Sequence, residues 1–269
     1  MCAPREPRKR RAGCLGQLQA MLEREIIGVS ANRWHRENMS RIRIPIYFDY
    51  ASTLCYIAWR IVAELEGELG FEALWKGVPI ASRDFRFKPG RVLGEPERQK
   101  VLLVAAETGI RVAPPPSWID SMPALQGSEI ARDAGVFPAY HDAVFRAAFE
   151  QGADIANRGV LDAIAERAGI DRSKFRAALD SGAMSARIAE HEREADEFSA
   201  LGFPTFILGD FPMIGIQPIE SMRLLLGRFI RQRAEEPQAE RARNTGHGEL
   251  RSTNSVVEPS TISIILLCP

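Results

Sequence analysis

The residues best suited to chemistry lie close together in the stretch FDYASTLCYIA, residues 48–58. Ser52 and Cys55 stand three positions apart at what reads as the start of a helix, with Asp49 ahead of them and Tyr56 directly after. Two cysteines at this spacing make a dithiol centre. The unpaired N–H groups and positive dipole end of the helix favour a thiolate at the first position, and the second thiol attacks the mixed disulfide. Here the first position is serine. Its hydroxyl forms no disulfide and is scarcely ionised at neutral pH, but it can donate a hydrogen bond to a thiolate that a ligand brings in. Taken alone, Ser52 reads as an N-cap residue. Cys55 is either a small buried apolar residue or a reactive thiol. Asp49 either caps the turn or serves the site, and Tyr56 either packs or binds.

Two other stretches could take part. In GFPTF, Pro204 follows Phe203, and an X-Pro bond is the realistic place for a cis peptide, although base rates alone favour trans. RDFRFKPGR, residues 83–91, offers Arg83, Arg86, Lys88 and Arg91, either as an exposed loop or as cations for a ligand carboxylate. Pro114, Pro115, Pro116 and Trp118 form a stiff loop that borders a pocket or merely connects helices. His141 and His191 have no convincing partners at metal-ligand spacing and read as solvated or satisfied histidines.

The chain must position these groups within 269 residues, of which 45% are apolar and 26% charged, enough for a proper core. Its formal net charge is zero, which gives no reason to expect nucleic acid or an anionic membrane as partner. Three of the four cysteines, Cys2, Cys14 and Cys268, fall in the terminal stretches, a usage that fits a reducing cytoplasm better than a disulfide-stapled domain. No stretch approaches the roughly 20 apolar residues of a membrane span. A soluble cytoplasmic protein is expected.

Composition divides the chain into three parts. Residues 1–42 form a basic extension expected to be disordered, and Met39 with SRIRIPIYFDY has the look of a natural chain start. Residues 235–269 are poor in large apolar side chains and are expected to be a disordered tail. The folded unit is expected over 43–234.

Within that unit, Ile44 to Phe48 reads as a strand. Leu54, Ile57, Ala58, Ile61 and Leu65 recur at helical spacing, and Phe71 to Ile80 reads as a second strand. This βαβ start implies parallel pairing with a right-handed crossover. Helices are expected over 96–108, 123–134, 139–151, 158–168, 172–179 and 184–201. GFPTFILGDFPMIGIQP then reads as two short strands, and Ile219 to Arg231 as an amphipathic helix. The order is β, α, β, helical block, β, β, α.

This order and three local stretches resemble the DsbA family: YFDYASTLCYIA, AFEQGADIANRGVLDAIAERAGID in the helical block, and GFPTFILGDFPMIGIQP. The last two are most similar to its FrnE-like subgroup. The resemblance implies an α/β thioredoxin fold with a helical domain inserted after the βαβ unit. The core would comprise 43–81 and about 202–234, and the insert about 95–201. It further implies a cis Phe203–Pro204 bond, with the Phe203 backbone facing the Ser52 helix terminus.

Redox members of the family carry cysteine where Ser52 stands. The 2-hydroxychromene-2-carboxylate isomerases and kappa-class glutathione transferases carry serine there, which holds the glutathione sulfur. FDYASTLCY combines that serine with the second cysteine of the redox members and has Thr53 in place of the usual proline. The resemblance therefore implies, first, an oxidoreductase-type protein acting on or with a low-molecular-weight thiol through Ser52 and Cys55. It implies, second, a glutathione-dependent isomerase or transferase. In both, Asp49, Tyr56, Phe203 and Pro204 would hold glutathione or the substrate thiol. A non-catalytic module binding a peptide or partner is the third reading. The expected partner is a small thiol or thiol-bearing substrate, with a homodimer left open.

Overall fold

The computed structural model describes residues 41–235; the readings made for the two terminal stretches lie outside them. Strand β1 (Arg43–Phe48) leads through a turn into helix α1 (Thr53–Leu69), and the chain returns as β2 (Glu72–Gly77). Helices α2 (Glu95–Thr108), α3 (Met122–Asp133), α4 (Phe137–Phe149), α5 (Arg158–Arg167), α6 (Arg172–Asp180) and α7 (Ser185–Glu197) follow. Strands β3 (Thr205–Leu208) and β4 (Phe211–Ile214) and helix α8 (Ile219–Glu235) complete the described chain. This is the thioredoxin order with a helical block inserted after the βαβ unit.

The sheet runs β2-β1-β3-β4. β1 is parallel to β2 along its length, from Arg43 opposite Glu72 to Phe48 opposite Gly77, and antiparallel to β3 at Ile46–Phe206 and Tyr47–Thr205. As a central strand, β1 buries Ile44, Ile46, Tyr47 and Phe48, and its sequence accordingly reads as a near-continuous apolar run rather than a clean alternation. β2 is shorter than expected. It stops at Gly77, and the Ile80 amide then turns inward to the Asp49 carboxylate instead of extending the ladder.

Helix α1 buries Cys55, Tyr56, Ile57, Ala58, Ile61, Val62 and Leu65, the face its apolar spacing marks out. It ends at Gly70, whose φ of 73° closes the helix with an N–H to Glu66 O. Helix α8 lies against α1, and Arg223 spans the two by pairing with Glu64 and Glu68.

The insert docks on the core through aromatic side chains. His141 of α4 is fully buried among Phe48 and Tyr50, Trp59 of α1, Trp75 of β2, and Phe137 and Phe145 of its own helix. The Tyr50 hydroxyl meets His141 Nδ1 at 2.7 Å, and Trp59 Nε1 donates to Asp142 at 2.9 Å. His141 is thus satisfied on one nitrogen only; Nε2 is buried without a hydrogen-bond partner. Gly77 permits the close approach, since a Cβ there would lie 2.8 Å from Leu125 Cδ2. Among the described residues, no helix is long and apolar enough to cross a membrane.

Candidate functional site

Ser52 is the N-cap of α1. Its backbone is extended (φ −94°, ψ 113°), and its Oγ accepts a hydrogen bond from the Cys55 amide at 3.4 Å. The turn that delivers it is fixed from below by Asp49, whose backbone carbonyl receives the Ser52 amide at 3.1 Å. The Asp49 carboxylate accepts the Ala51 amide at 2.9 Å and the Ile80 amide at 2.6 Å, so one buried side chain joins the strand, the turn and the segment after β2. The Ser121 hydroxyl, at the start of α3, also acts to lower the pKa of this carboxyl. Burial pushes the Asp49 carboxyl up to about 6, against the hydrogen bonds from Ala51, Ser121 and Ile80.

The Phe203–Pro204 bond is cis, as the resemblance implied, and it lies opposite this turn. The Ser52 hydroxyl reaches the Phe203 carbonyl oxygen at 3.5 Å, a long contact that leaves it ready to turn to a better acceptor. β4 closes the far side, with the Gly215 amide donating to Pro204 O at 2.7 Å. Ser52 is 7% exposed and Phe203 5%, so the helix N-terminus and the peptide backbone meet in a largely covered position.

Cys55 departs from the reactive-thiol expectation, which needs an accessible side chain with a lowered pKa. It is 0% exposed, and burial pushes its thiol up to about 12; the Ser52 hydroxyl pulls the other way without offsetting this, and the Asp49 charge adds to the rise. Little thiolate forms at neutral pH, so alkylation by iodoacetamide is expected to run about three orders of magnitude slower than at a free cysteine. Peptide mass mapping checks this, and rapid labelling of Cys55 in the native protein contradicts the burial.

Tyr56 faces the core. Its ring stacks on Phe149 at 5.8 Å, and its hydroxyl donates to Glu150 at 2.6 Å. Burial and that carboxylate both hold the hydroxyl above its ordinary pKa. The structure thus brings Ser52, Asp49, Cys55, Phe203 and Pro204 together and assigns Tyr56 to packing against the insert.

The cations of RDFRFKPGR are largely committed within the chain. Arg86 pairs with Asp84, Arg91 with Glu97, and Arg83 with Asp196, while Lys88 is exposed. The triple-proline loop zips onto the same segment, with Leu93 N bonded to Pro116 O and Trp118 N to Arg91 O. Ser121 is a site-supporting residue that the sequence does not mark, and Arg83, expected either in an exposed loop or as a cation for a ligand carboxylate, instead pairs with Asp196. Both act across more than 70 residues of chain, and no local pattern marks such contacts.

Comparison with known proteins gives this geometry relatives. A family model described as a DSBA-like thioredoxin domain matches residues 43–227. A 2-hydroxychromene-2-carboxylate isomerase of Pseudomonas putida is 24% identical over 204 residues, covering 71% of this chain and 98% of the isomerase. A solved 2-hydroxychromene-2-carboxylate isomerase has a TM-score of 0.60 at 23% identity, covering 72% of this chain and 98% of its own. The cytosolic disulfide reductase DsbM from Pseudomonas aeruginosa, solved with GSH, has a TM-score of 0.55 at 21% identity and covers 71% and 100%.

Proposed function

Because the chain belongs to the DSBA-like thioredoxin domain family, we propose that it works with a low-molecular-weight thiol, glutathione foremost, whose sulfur is held at Ser52. The placement of Cys55 carries this reading. The only cysteine among the described residues is fully buried with its thiol pushed up to about 12, while a hydroxyl occupies the position where the helix terminus favours a thiolate. The reacting sulfur then comes from outside. This reverses the order of the two sequence readings, placing glutathione-dependent isomerisation or transfer ahead of exchange through Cys55.

In this reading the α1 N-terminus lowers the pKa of the ligand thiol, and the Ser52 hydroxyl turns from Phe203 O to donate to the thiolate. The ligand backbone pairs with the Phe203 main chain beside Pro204, in the manner of an added strand. The thiolate adds to one end of a conjugated C=C bond of a second substrate, and the C–S bond forms as the π pair moves onto the substrate's conjugated carbonyl. In a transfer the resulting enolate takes a proton from water and the C–S bond is kept; in an isomerisation the pair returns after rotation about the former double bond and expels the thiolate. The 2-hydroxychromene-2-carboxylate isomerase relative and the structure of DsbM with GSH support this reading, and it expects a cytosolic setting.

Calorimetric titration with glutathione tests it. Wild type is expected to bind, and Ser52→Ala to bind about 10- to 100-fold more weakly, the loss of one hydrogen bond to a charged sulfur. Wild type that takes up no glutathione at millimolar concentration contradicts it.

A further inference from the structure

We propose that Arg83 is a positioning residue of the thiol site, setting where the Phe203 carbonyl lies relative to Ser52; this rests on the thiol-binding reading above. Arg83 follows the short turn of helix at Ile80–Ser82, and its backbone is tied to Asp49 through Ile80: the Arg83 N–H donates to Ile80 O, and the Ile80 amide donates to the Asp49 carboxylate. Its guanidinium reaches across to the end of the insert. NH2 donates to Glu192 O at 2.9 Å, NH1 to Asp196 Oδ1 at 2.7 Å and, at 3.5 Å, to Ala200 O. The same group lies 5.7 Å from the centroid of the Phe203 ring. One side chain thus touches the last turns of α7, the loop that leaves it and the residue before the cis proline.

The rest of α7 is held in place by buried Ile188 and Ala195 and by polar contacts to the sheet and the turn after it. His191 Nδ1 meets Gly77 O at 3.3 Å, Glu192 accepts from Ser82, and Glu194 accepts from both Lys76 and Tyr47. Beyond Glu197 the chain leaves the helix through Ser199, whose φ is 53°, and reaches Phe203 four residues later. Phe203 thus lies a short stretch of chain beyond the C-terminal end of α7. Arg83 ties that end back to the turn fixed by Asp49, which also positions Ser52, so both halves of the site share one reference point.

The guanidinium is not fully satisfied, because Nε is buried without a hydrogen-bond partner. An arginine whose buried donor is left over contributes less to stability than its contacts suggest. Its removal is therefore expected to show in ligand affinity more than in the melting temperature.

Glutathione is titrated into wild type, Ser52→Ala, Arg83→Met and Arg83→Lys well below their melting temperatures, and the ultraviolet thiolate absorbance of the bound ligand is followed against pH. Arg83→Met is expected to bind about tenfold more weakly, in line with the cost of misplacing a binding group by a fraction of an ångström to an ångström. Its bound glutathione keeps the wild-type thiol pKa, since Ser52 is intact; Arg83→Lys, which can reach one acceptor but not the whole set, recovers part of the affinity. Ser52→Ala changes the bound thiol pKa instead. A merely structural role for Arg83 would lower the melting temperature and leave affinity alone. Wild-type affinity in Arg83→Met overturns the proposal while Ser52→Ala still reports on the site; absence of glutathione binding to wild type overturns both. Should Arg83→Met not fold, Asp196→Asn removes the exposed carboxylate partner and is expected to weaken binding in the same direction, and wild-type affinity there overturns the proposal.

Discussion

Ser52→Cys is expected to convert this site into a working dithiol, closing a disulfide to Cys55 under mild oxidation and reopening it with reduced glutathione, where the wild-type body does neither. The introduced thiol would sit at the N-cap of α1, where the helix terminus favours its thiolate, with Cys55 on the first turn below. The Cys55 amide is already 3.4 Å from the side-chain oxygen at position 52, so the two side chains project from one tight turn. Once the mixed disulfide forms at position 52, the buried Cys55 thiol needs only local approach to displace the outer sulfur. Alkylation and peptide mass mapping count the thiols, with essentially complete closure expected in the variant and none in this segment of wild type. A variant that stays fully reduced would show that the frame around Ser52 does not retain redox geometry.

Acid unfolding is expected to separate wild type from Asp49→Asn by the slope of stability against pH. His141 is fully buried, and burial, helped by the Arg132 charge, holds its pKa well below the ordinary value of about 6.5. In the unfolded chain it takes a proton below that value and in the native state it does not, so stability falls as pH falls, by about 1.4 kcal/mol per unit. His191, lowered chiefly by burial, adds in the same direction. Asp49 acts oppositely. Its native carboxyl, raised to about 6, binds a proton where the unfolded one, near 3.9, does not, so its contribution is fully present below 3.9 and is lost as pH rises through 6. Between about pH 4 and 6 the Asp49 slope offsets that of one histidine in wild type. Asp49→Asn removes the offset, and its stability should fall more steeply on acidification by about 1.4 kcal/mol per unit. Urea midpoints from pH 4 to 7 measure both slopes. Parallel profiles contradict the raised Asp49 carboxyl.

Much of the fold was legible because it rests on local signals. The period of Leu54, Ile57, Ala58, Ile61 and Leu65 gave α1, and its buried face is the one observed. The helices of the insert fell close to the expected spans because caps such as Asn157 and Asp171 mark their starts. The expected 184–201 helix ended early, at Glu197, because the chain turns away through a non-glycine residue of positive φ at Ser199, which sequence does not announce. At the site, Ser52, Asp49 and Pro204 were readable from the motif and the resemblance. The burial of Cys55 is not fixed by the motif, since a cysteine on the first turn of a helix is compatible with exposure and with burial until the insert is placed. For Arg83 the sequence leaves open an exposed loop or a cation for a ligand carboxylate; its partners Glu192 and Asp196 lie more than 100 residues away, and only the docking of α7 reveals them.

The central claim is that the reacting sulfur belongs to the ligand and is held as a thiolate at Ser52. The ultraviolet absorbance of the glutathione thiolate, titrated with wild type and with Ser52→Ala, tests it most directly. The thiol of bound glutathione is expected to ionise at a pH below that of free glutathione in wild type, and to return toward the free value in Ser52→Ala. Glutathione that binds wild type with its thiol still protonated at neutral pH, or with the same ionisation in both proteins, contradicts the claim.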